Sequence, residues 1–176
     1  PLSPELDPSW RMVSEYALGE YGWVLMVLFV SWALSCVTLF FAIKSQVQTV
    51  GGKIGLGFLL ASALGRGMAA VFDVNHSLHD LSALIGMDTF PIAAILISIS
   101  LGRNLAWFPV RRSLLWTALL TWLSVVLMSV AVAMGLAQTG GEFGPGMWVG
   151  WANRFLVVAY CVWLITVAAS ALRLGT

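Results

Sequence analysis

Charged residues are scarce in this sequence, and the shortage excludes most classes of soluble protein. Only 10% of the 176 residues are Asp, Glu, Lys or Arg, against roughly a quarter in soluble domains. There is no dense basic patch, so we expect no nucleic-acid partner. A glycine-rich phosphate loop and a nucleophile elbow are also missing, which argues against the common soluble enzymes. The two cysteines lie inside apolar runs, so a disulfide is not expected.

Long apolar runs dominate the chain, of which 60% is hydrophobic. A helix needs about 20 apolar residues to cross a hydrocarbon core of about 30 Å. Five runs reach that length, at about 21–43, 54–74, 81–101, 114–136 and 147–172. We predict an all-α membrane protein, a compact antiparallel bundle of five transmembrane helices, because the connections are short. The bundle would form a single domain over 21–176, and an outer-side amphipathic segment would precede it over 1–20.

The few charges divide by sign between the two sides of the predicted bundle. One side has only basic residues in its loops: Lys44, Lys53, Arg103, Arg111, Arg112 and Arg173. The other side is mainly acidic, with Arg11 as its one loop cation: Glu5, Asp7, Glu15, Glu20, Asp73, Asp80 and Glu142. Since basic loops stay in the cytoplasm, we predict that residue 1 is outside and the C-terminus cytoplasmic.

Small residues recur at every fourth position of the second predicted span, at Gly57, Ala61, Gly65 and Ala69. This spacing places small side chains on one helix face, where a neighbouring backbone can approach closely. We predict that these four positions form a packing seam.

Ionisable side chains within apolar spans are costly and therefore indicate a function or an internal pairing. Arg66, Asp88 and Arg154 are such groups, and all three fall in the predicted outer half. Helical spacing places Ser62, Arg66 and Asp73 on one face, and it places Asp88 below Asp80. We therefore predict an outer polar cluster that binds a lipid headgroup or a partner. Its members are Ser14, Glu15, Arg66, Asp73, His76, His79, Asp80, Asp88 and Arg154.

The segment 73–80 contains both histidines of the chain and admits three interpretations. His76 and His79 could be zinc ligands with a third from Asp73 or Asp80, so that a bound water is activated; Asp73, Asp80 and Ser77 are then the catalytic candidates. Alternatively, these residues cap helices, with Ser77 starting the third one, and pair with Arg66 and Arg154. A third interpretation makes one histidine the axial ligand of a haem or chlorin.

Several short motifs resemble one known family. They are Ser-Glu-Tyr-Ala-Leu-Gly at 14–19 followed by Tyr-Gly-Trp at 21–23, Phe-Asp at 72–73, His-Asp-Leu-Ser-Ala at 79–83 and Asn-Arg at 153–154. Together they resemble the DUF998 family of bacterial integral membrane proteins, which implies a bacterial inner-membrane location. The resemblance also implies six helices in the complete fold, the first of them before Pro1. The family layout is similar to that of ceramidase-like membrane hydrolases, which bind zinc through three histidines and an aspartate, whereas this chain has two histidines.

These observations favour a noncatalytic role, as a structural, accessory or lipid-binding subunit. Its partners would be membrane lipids and other subunits of a larger membrane complex. The alternative is a zinc-dependent intramembrane lipid hydrolase. Transport of an ion or small molecule and pigment or haem binding are further alternatives, but the polar residues stop in the outer half, so a path for transport is hard to draw.

Overall fold

Five α-helices make up most of the part of the chain that the computed structural model describes, residues 6–175. They are α1 (Gly22–Ile43), α2 (Val50–Val71), α3 (His79–Leu101), α4 (Arg111–Thr139) and α5 (Val149–Gly175). Two 3₁₀-helices, Val13–Leu18 and Leu105–Val110, precede α1 and α4. All five α-helices are long and apolar enough to cross a membrane, and residues 6–175 contain no strand. The predicted fold class is confirmed. The first five residues of the predicted outer segment lie outside the described residues.

Local hydrogen bonds set the helix boundaries that differ from the predicted ones. Helix α2 begins four residues early because the Thr49 hydroxyl accepts from the Gly52 N–H at 3.0 Å, as an N-cap does. The prediction that Ser77 starts the third helix is wrong, since α3 begins at His79 with Leu78 at the N-cap position. The imidazole Nδ1 of His76 accepts from the N–H of Leu78, the N-cap residue of α3, at 3.1 Å.

Helices α2 and α3 make the most extensive contact in the bundle, whereas α1 and α5 touch only briefly. The close approach centres on two glycines. A Cβ added at Gly65 would lie 2.7 Å from the Gly86 Cα and 2.8 Å from the Ser82 carbonyl oxygen, so a larger residue cannot fit without moving a helix. Backbone-to-backbone packing of this kind stabilises helix pairs in lipid, where water exclusion contributes little.

The predicted seam of small residues is only partly correct. Gly65 lies at the α2–α3 contact, but an added Cβ at Gly57 would meet no atom within 4 Å. A helix has 3.6 residues per turn, so positions four apart drift by about 40° at each step. Gly57 and Gly65 are therefore about 80° apart around α2, and Gly57 lies outside the close contact with α3.

Pro91 lies within α3 and leaves one backbone carbonyl of that helix without its usual donor. Because proline has no N–H, the carbonyl of Met87, four residues earlier, receives no donor from position 91. The hydroxyl of Tyr160 on α5 donates to this carbonyl at 2.8 Å, and Tyr160 is fully buried. The proline thus creates a free acceptor that holds α5 against α3.

Charges of opposite sign mark the two ends of the bundle. At what we term the acidic end, α1, α3 and α5 begin and α2 and α4 end; Asp7, Glu15, Glu20, Asp73, Asp80 and Glu142 lie there. At the other, basic end lie Lys44, Lys53, Arg103, Arg111, Arg112 and Arg173.

Candidate functional site

A small cavity lies inside the acidic end, between α1, α2, α3 and α5 and beneath the first 3₁₀-helix. Its volume is about 60 Å³, room for roughly four waters or one phosphate-sized group. The polar side chains that line it are Ser14, Arg66, His79, Ser82 and Asn153.

A groove of about 430 Å³ adjoins this cavity between the start of α1 and the end of α2. Four residues line both spaces: Ser14, Phe29, Ala69 and His79. Trp23 and Met26 give the groove an apolar wall on α1, and both side chains are exposed. The cavity and the groove therefore adjoin at these four residues.

Arg66 is the charged residue of the cavity, and it is only 3% exposed. Its Nη2 donates to the Gly86 carbonyl at 3.1 Å, and the Ser62 hydroxyl donates to the same oxygen at 2.7 Å. The two residues therefore share a face of α2, as predicted. The guanidinium carbon lies 3.6 Å from the centre of the Trp32 ring, a close cation–π contact that partly compensates for lost water.

No carboxylate of residues 6–175 neutralises Arg66. Within residues 6–175, the acids form no ion pair with Arg66 or with Arg154, so the predicted internal pairing of these arginines is not formed. The Nε–H of Arg66 is buried and donates to no atom of the described chain. Buried charges in proteins are normally paired, and an unpaired one at membrane depth is expensive. Arg66 therefore borders the cavity with a positive charge and unused donor capacity.

His79 and Ser14 lie where the cavity meets the groove. The Nδ1 of His79 is 3.1 Å from the Phe72 carbonyl oxygen, which can only accept, so Nδ1–H is the donor in this hydrogen bond. Nε2 is then left without a partner in the described chain. Ser14 likewise has no hydrogen bond from its hydroxyl to residues 6–175. Both side chains are therefore available to a ligand that enters from the groove.

Arg154 holds residues 6–20, here called the cap segment, over the cavity. Its Nη1 donates to the carbonyls of Pro8, Arg11 and Gly150 at 2.9–3.0 Å, and its Nη2 donates to the Tyr16 hydroxyl at 2.9 Å. Arg154 thus positions the cap segment and has no place in the cavity lining.

Asn153 and Glu15 complete the attachment of the cap segment. The Asn153 side-chain oxygen accepts from the Val13 N–H at 2.8 Å, next to Ser14. Glu15 forms an ion pair with Arg11 at 2.7 Å and accepts from the Met12 N–H at 2.6 Å. Its carboxylate is therefore engaged within the segment. At the start of the segment, hydrogen bonds from Ser9 hold the pKa of Asp7 below its ordinary value.

The segment 73–80 does not assemble the predicted metal site. Among residues 6–175, no three His, Cys, Asp or Glu side chains come close enough to hold an ion. His76 uses its Nδ1 on the Leu78 N–H and stacks on Phe72 at 4.4 Å. Asp73 lies beyond the end of α2 and accepts from the Asn75 N–H at 2.9 Å, so it does not continue the Ser62–Arg66 face. The donor set that these residues bring together does not fit zinc.

The remaining predicted residues point away from the cavity. Ser77 and Asp80 are exposed, with Asp80 in the first turn of α3, where the helix dipole favours an acid. Asp88 is also exposed on α3, and it does not line the cavity or the groove. Of the predicted cluster, the structure brings together Ser14, Arg66 and His79, with Asp73 at the groove.

Trp32, Tyr160 and Gly86 belong to the site, although the polar pattern of the sequence does not indicate them. Trp32 and Gly86 contact the Arg66 guanidinium, and Tyr160 lies 5.5 Å from it, ring centre to guanidinium carbon. The sequence contained one indication of Trp32 and Tyr160, which is their position inside predicted spans. Trp and Tyr favour membrane interfaces and need a partner when they lie in the middle of a span.

Five apolar helices between an acidic and a basic end define a multi-pass α-helical membrane protein. The model of the family described as "protein of unknown function (DUF998)" matches residues 1–170, and the chain belongs to that family. The prediction made from the motifs at Ser14, Phe72, His79 and Asn153 is thereby confirmed. No curated protein and no solved structure matches the chain.

Proposed function

We propose that this protein is a noncatalytic membrane protein that binds an anionic lipid headgroup at Arg66. The observation behind the proposal is the unneutralised guanidinium, 3% exposed and next to a cavity. A lipid phosphate would supply the missing negative charge and accept from the free Nε–H. Ser14 and His79 would add polar contacts at the entrance.

The groove favours a lipid over a free anion as the ligand. Trp23 and Met26 on α1 give it an apolar wall, and both side chains are exposed. A headgroup could enter between α1 and α2 while its acyl chains stay beside α1. A soluble anion would gain nothing from this wall. The proposal therefore assigns the headgroup to the cavity and the upper acyl chains to the groove.

The proposed location is the bacterial inner membrane, with the acidic end outside and the C-terminus in the cytoplasm. The division of charge between the ends supports this orientation, because basic loops are retained on the cytoplasmic side. The lipid bound at Arg66 would then come from the outer leaflet. The zinc-dependent hydrolase alternative would need a third ligand, and residues 6–175 do not place one near His76 and His79.

Native mass spectrometry of the purified protein tests the proposal. With phosphatidylglycerol or phosphatidylcholine added, we expect preferential retention of the anionic lipid and about a tenfold loss of that preference in Arg66→Gln, a difference of about 1.4 kcal/mol. Arg111→Gln is the matched control, because Arg111 is exposed at the basic end.

Inorganic phosphate supplies the second arm of this experiment. At millimolar concentration it should leave lipid retention unchanged; displacement of the lipid by phosphate alone would mean that the site takes a free anion. Equal retention of both lipids, or an equal loss in Arg66→Gln and Arg111→Gln, would refute the proposal. Arg66→Lys, which keeps the charge, should retain part of the preference and shows that the fold tolerates substitution.

A further inference from the structure

Asp88 is a second ionisable group at membrane depth, and it lies outside the site described above. It follows the start of α3 by nine residues, about 14 Å at 1.5 Å per residue, in a helix of 23 residues. Its side chain is exposed. Within residues 6–175 its carboxylate forms no hydrogen bond and no ion pair. In the described part of the chain, α3 therefore presents a carboxyl group without a hydrogen bond or ion pair to the outer half of the hydrocarbon core.

Asp88 lies on a mainly apolar stripe of α3 that the neighbouring helices cover only in part, since Ile95 packs against the core while Leu84 and Ile99 are exposed. The stripe consists of Leu84, Asp88, Ile92, Ile95 and Ile99, which share one helix face by their spacing. Leu84 is 59% and Ile99 42% exposed. The opposite face of α3 is buried against α2 through Gly86. The stripe is thus long enough for a second helix to lie along it, with the carboxyl group near its middle.

We propose that this stripe binds a membrane-spanning helix of a partner protein that has a Lys or Arg opposite Asp88. Charge complementarity identifies the partner, because a carboxylate at this depth needs a cation. A lipid amine stays at the headgroup level, about 14 Å from this position along α3. A second copy of the chain offers no such cation: within residues 6–175 the basic side chains lie near span ends, apart from Arg66, which is buried, and Arg154, whose guanidinium is bonded to the cap segment.

A designed transmembrane peptide provides the first test. The purified protein is reconstituted with a Leu/Ala helix that has one central Lys, and association is measured by energy transfer against the same peptide with a central Leu. We expect the Lys peptide to bind more tightly, and Asp88→Asn to weaken it by about 3- to 15-fold, the range of polar helix–helix contacts in bilayers. Asp80→Asn is the matched control, since Asp80 is exposed on the same helix but lies in its first turn.

The outcomes of the peptide test separate the proposal from its competitors. Equal binding of the Lys and Leu peptides, or unchanged binding in Asp88→Asn, would mean that Asp88 is protonated in lipid and would overturn the proposal. Asp88→Lys combined with a central-Glu peptide should restore association, which a general loss of folding could not do. An unchanged midpoint of thermal unfolding in Asp88→Asn is the folding control.

A photo-crosslinking residue in place of Leu84 tests the stripe in native membranes. We expect an adduct with a protein that has a Lys or Arg inside a transmembrane span, and we expect the adduct to disappear in the Asp88→Asn background. An adduct with a second copy of this chain would overturn the proposal, as would a partner whose spans contain no basic residue. The same crosslinker in place of the exposed Leu64 on α2 is the control for position.

Discussion

At the scale of single residues, two arginines near the acidic end differ in how they are bonded: Arg66 is buried beside the cavity, and Arg154 is half-buried outside it. Arg154 is satisfied by three backbone carbonyls and a tyrosine hydroxyl. Arg66 donates to one carbonyl, that of Gly86, and its guanidinium lies over the face of Trp32. Its Nε–H has no acceptor in residues 6–175. A structural arginine needs full satisfaction when it is buried, since each unmet donor costs about 1–3 kcal/mol. The difference assigns Arg154 to the cap segment and Arg66 to a ligand.

Tyr160 allows a residue-scale test of how Pro91 shapes the site. Tyr160→Phe removes the donor to the Met87 carbonyl and leaves this buried oxygen unpaired. We expect the free energy of unfolding to fall by about 1–2 kcal/mol. Tyr21→Phe should change it by less than about 0.5 kcal/mol, because Tyr21 is exposed. Thermal unfolding in detergent measures both, and equal effects of the two variants would contradict the role given to the proline.

At the scale of secondary structure, the contact between α2 and α3 determines where the Arg66 guanidinium lies. Ser62 and Arg66 both reach the Gly86 carbonyl because the two backbones meet at Gly65 and Gly86. Any separation of these helices would lengthen both hydrogen bonds and widen the cavity. The cap segment contributes from the other side, through its attachment to Asn153 and Arg154 on α5.

Gly65 and Gly57 form a matched pair that tests this contact. Gly65→Ala places a Cβ against the backbone of Gly86, so we expect a loss of about 1–3 kcal/mol from overpacking. Gly57→Ala meets open space and should be neutral or stabilising by up to about 1 kcal/mol, since alanine favours the helix. Chemical unfolding measures both variants. A neutral Gly65→Ala would show that α2 and α3 are not held by this close approach.

At the scale of the whole molecule, the sequence predicts the bundle well because the bilayer imposes simple rules. Hydrocarbon thickness sets the length of each span. Apolar runs of that length can be recognised in the sequence without knowing which helices pack together. The family and fold class followed from such local patterns. The shared face of Ser62 and Arg66 followed from helical spacing alone.

The direction in which a helix face points was beyond prediction, because it depends on contacts between helices. Asp80, Leu84 and Asp88 do share a face of α3, but that face is exposed and does not lead to Arg66. Successive residues are about 100° apart around a helix. A small error in where α3 starts or how it packs therefore changes the prediction of whether this face points to Arg66 or to the surface. The roles of Trp32 and Gly86 likewise depend on the α1–α2–α3 packing that no local pattern specifies.

Arg66→Met provides the most direct test of the central claim, that Arg66 is a ligand-binding cation and not a structural one. Replacing a structural buried charge by a hydrophobe of similar size removes bonds on which the fold depends, whereas removing an unpaired charge should be neutral or stabilising. Wild type and Arg66→Met are compared by the midpoint of thermal unfolding in zwitterionic detergent, with phosphatidylglycerol or phosphatidylcholine added.

We predict that Arg66→Met unfolds at the same or a higher temperature than wild type when no lipid is added. Phosphatidylglycerol should raise the wild-type midpoint and should leave that of Arg66→Met unchanged. At a lipid concentration about 100 times the dissociation constant, the expected gain in the free energy of unfolding of wild type is about 2.7 kcal/mol. A variant that is strongly destabilised without lipid, or one that responds to phosphatidylglycerol as wild type does, would contradict the claim.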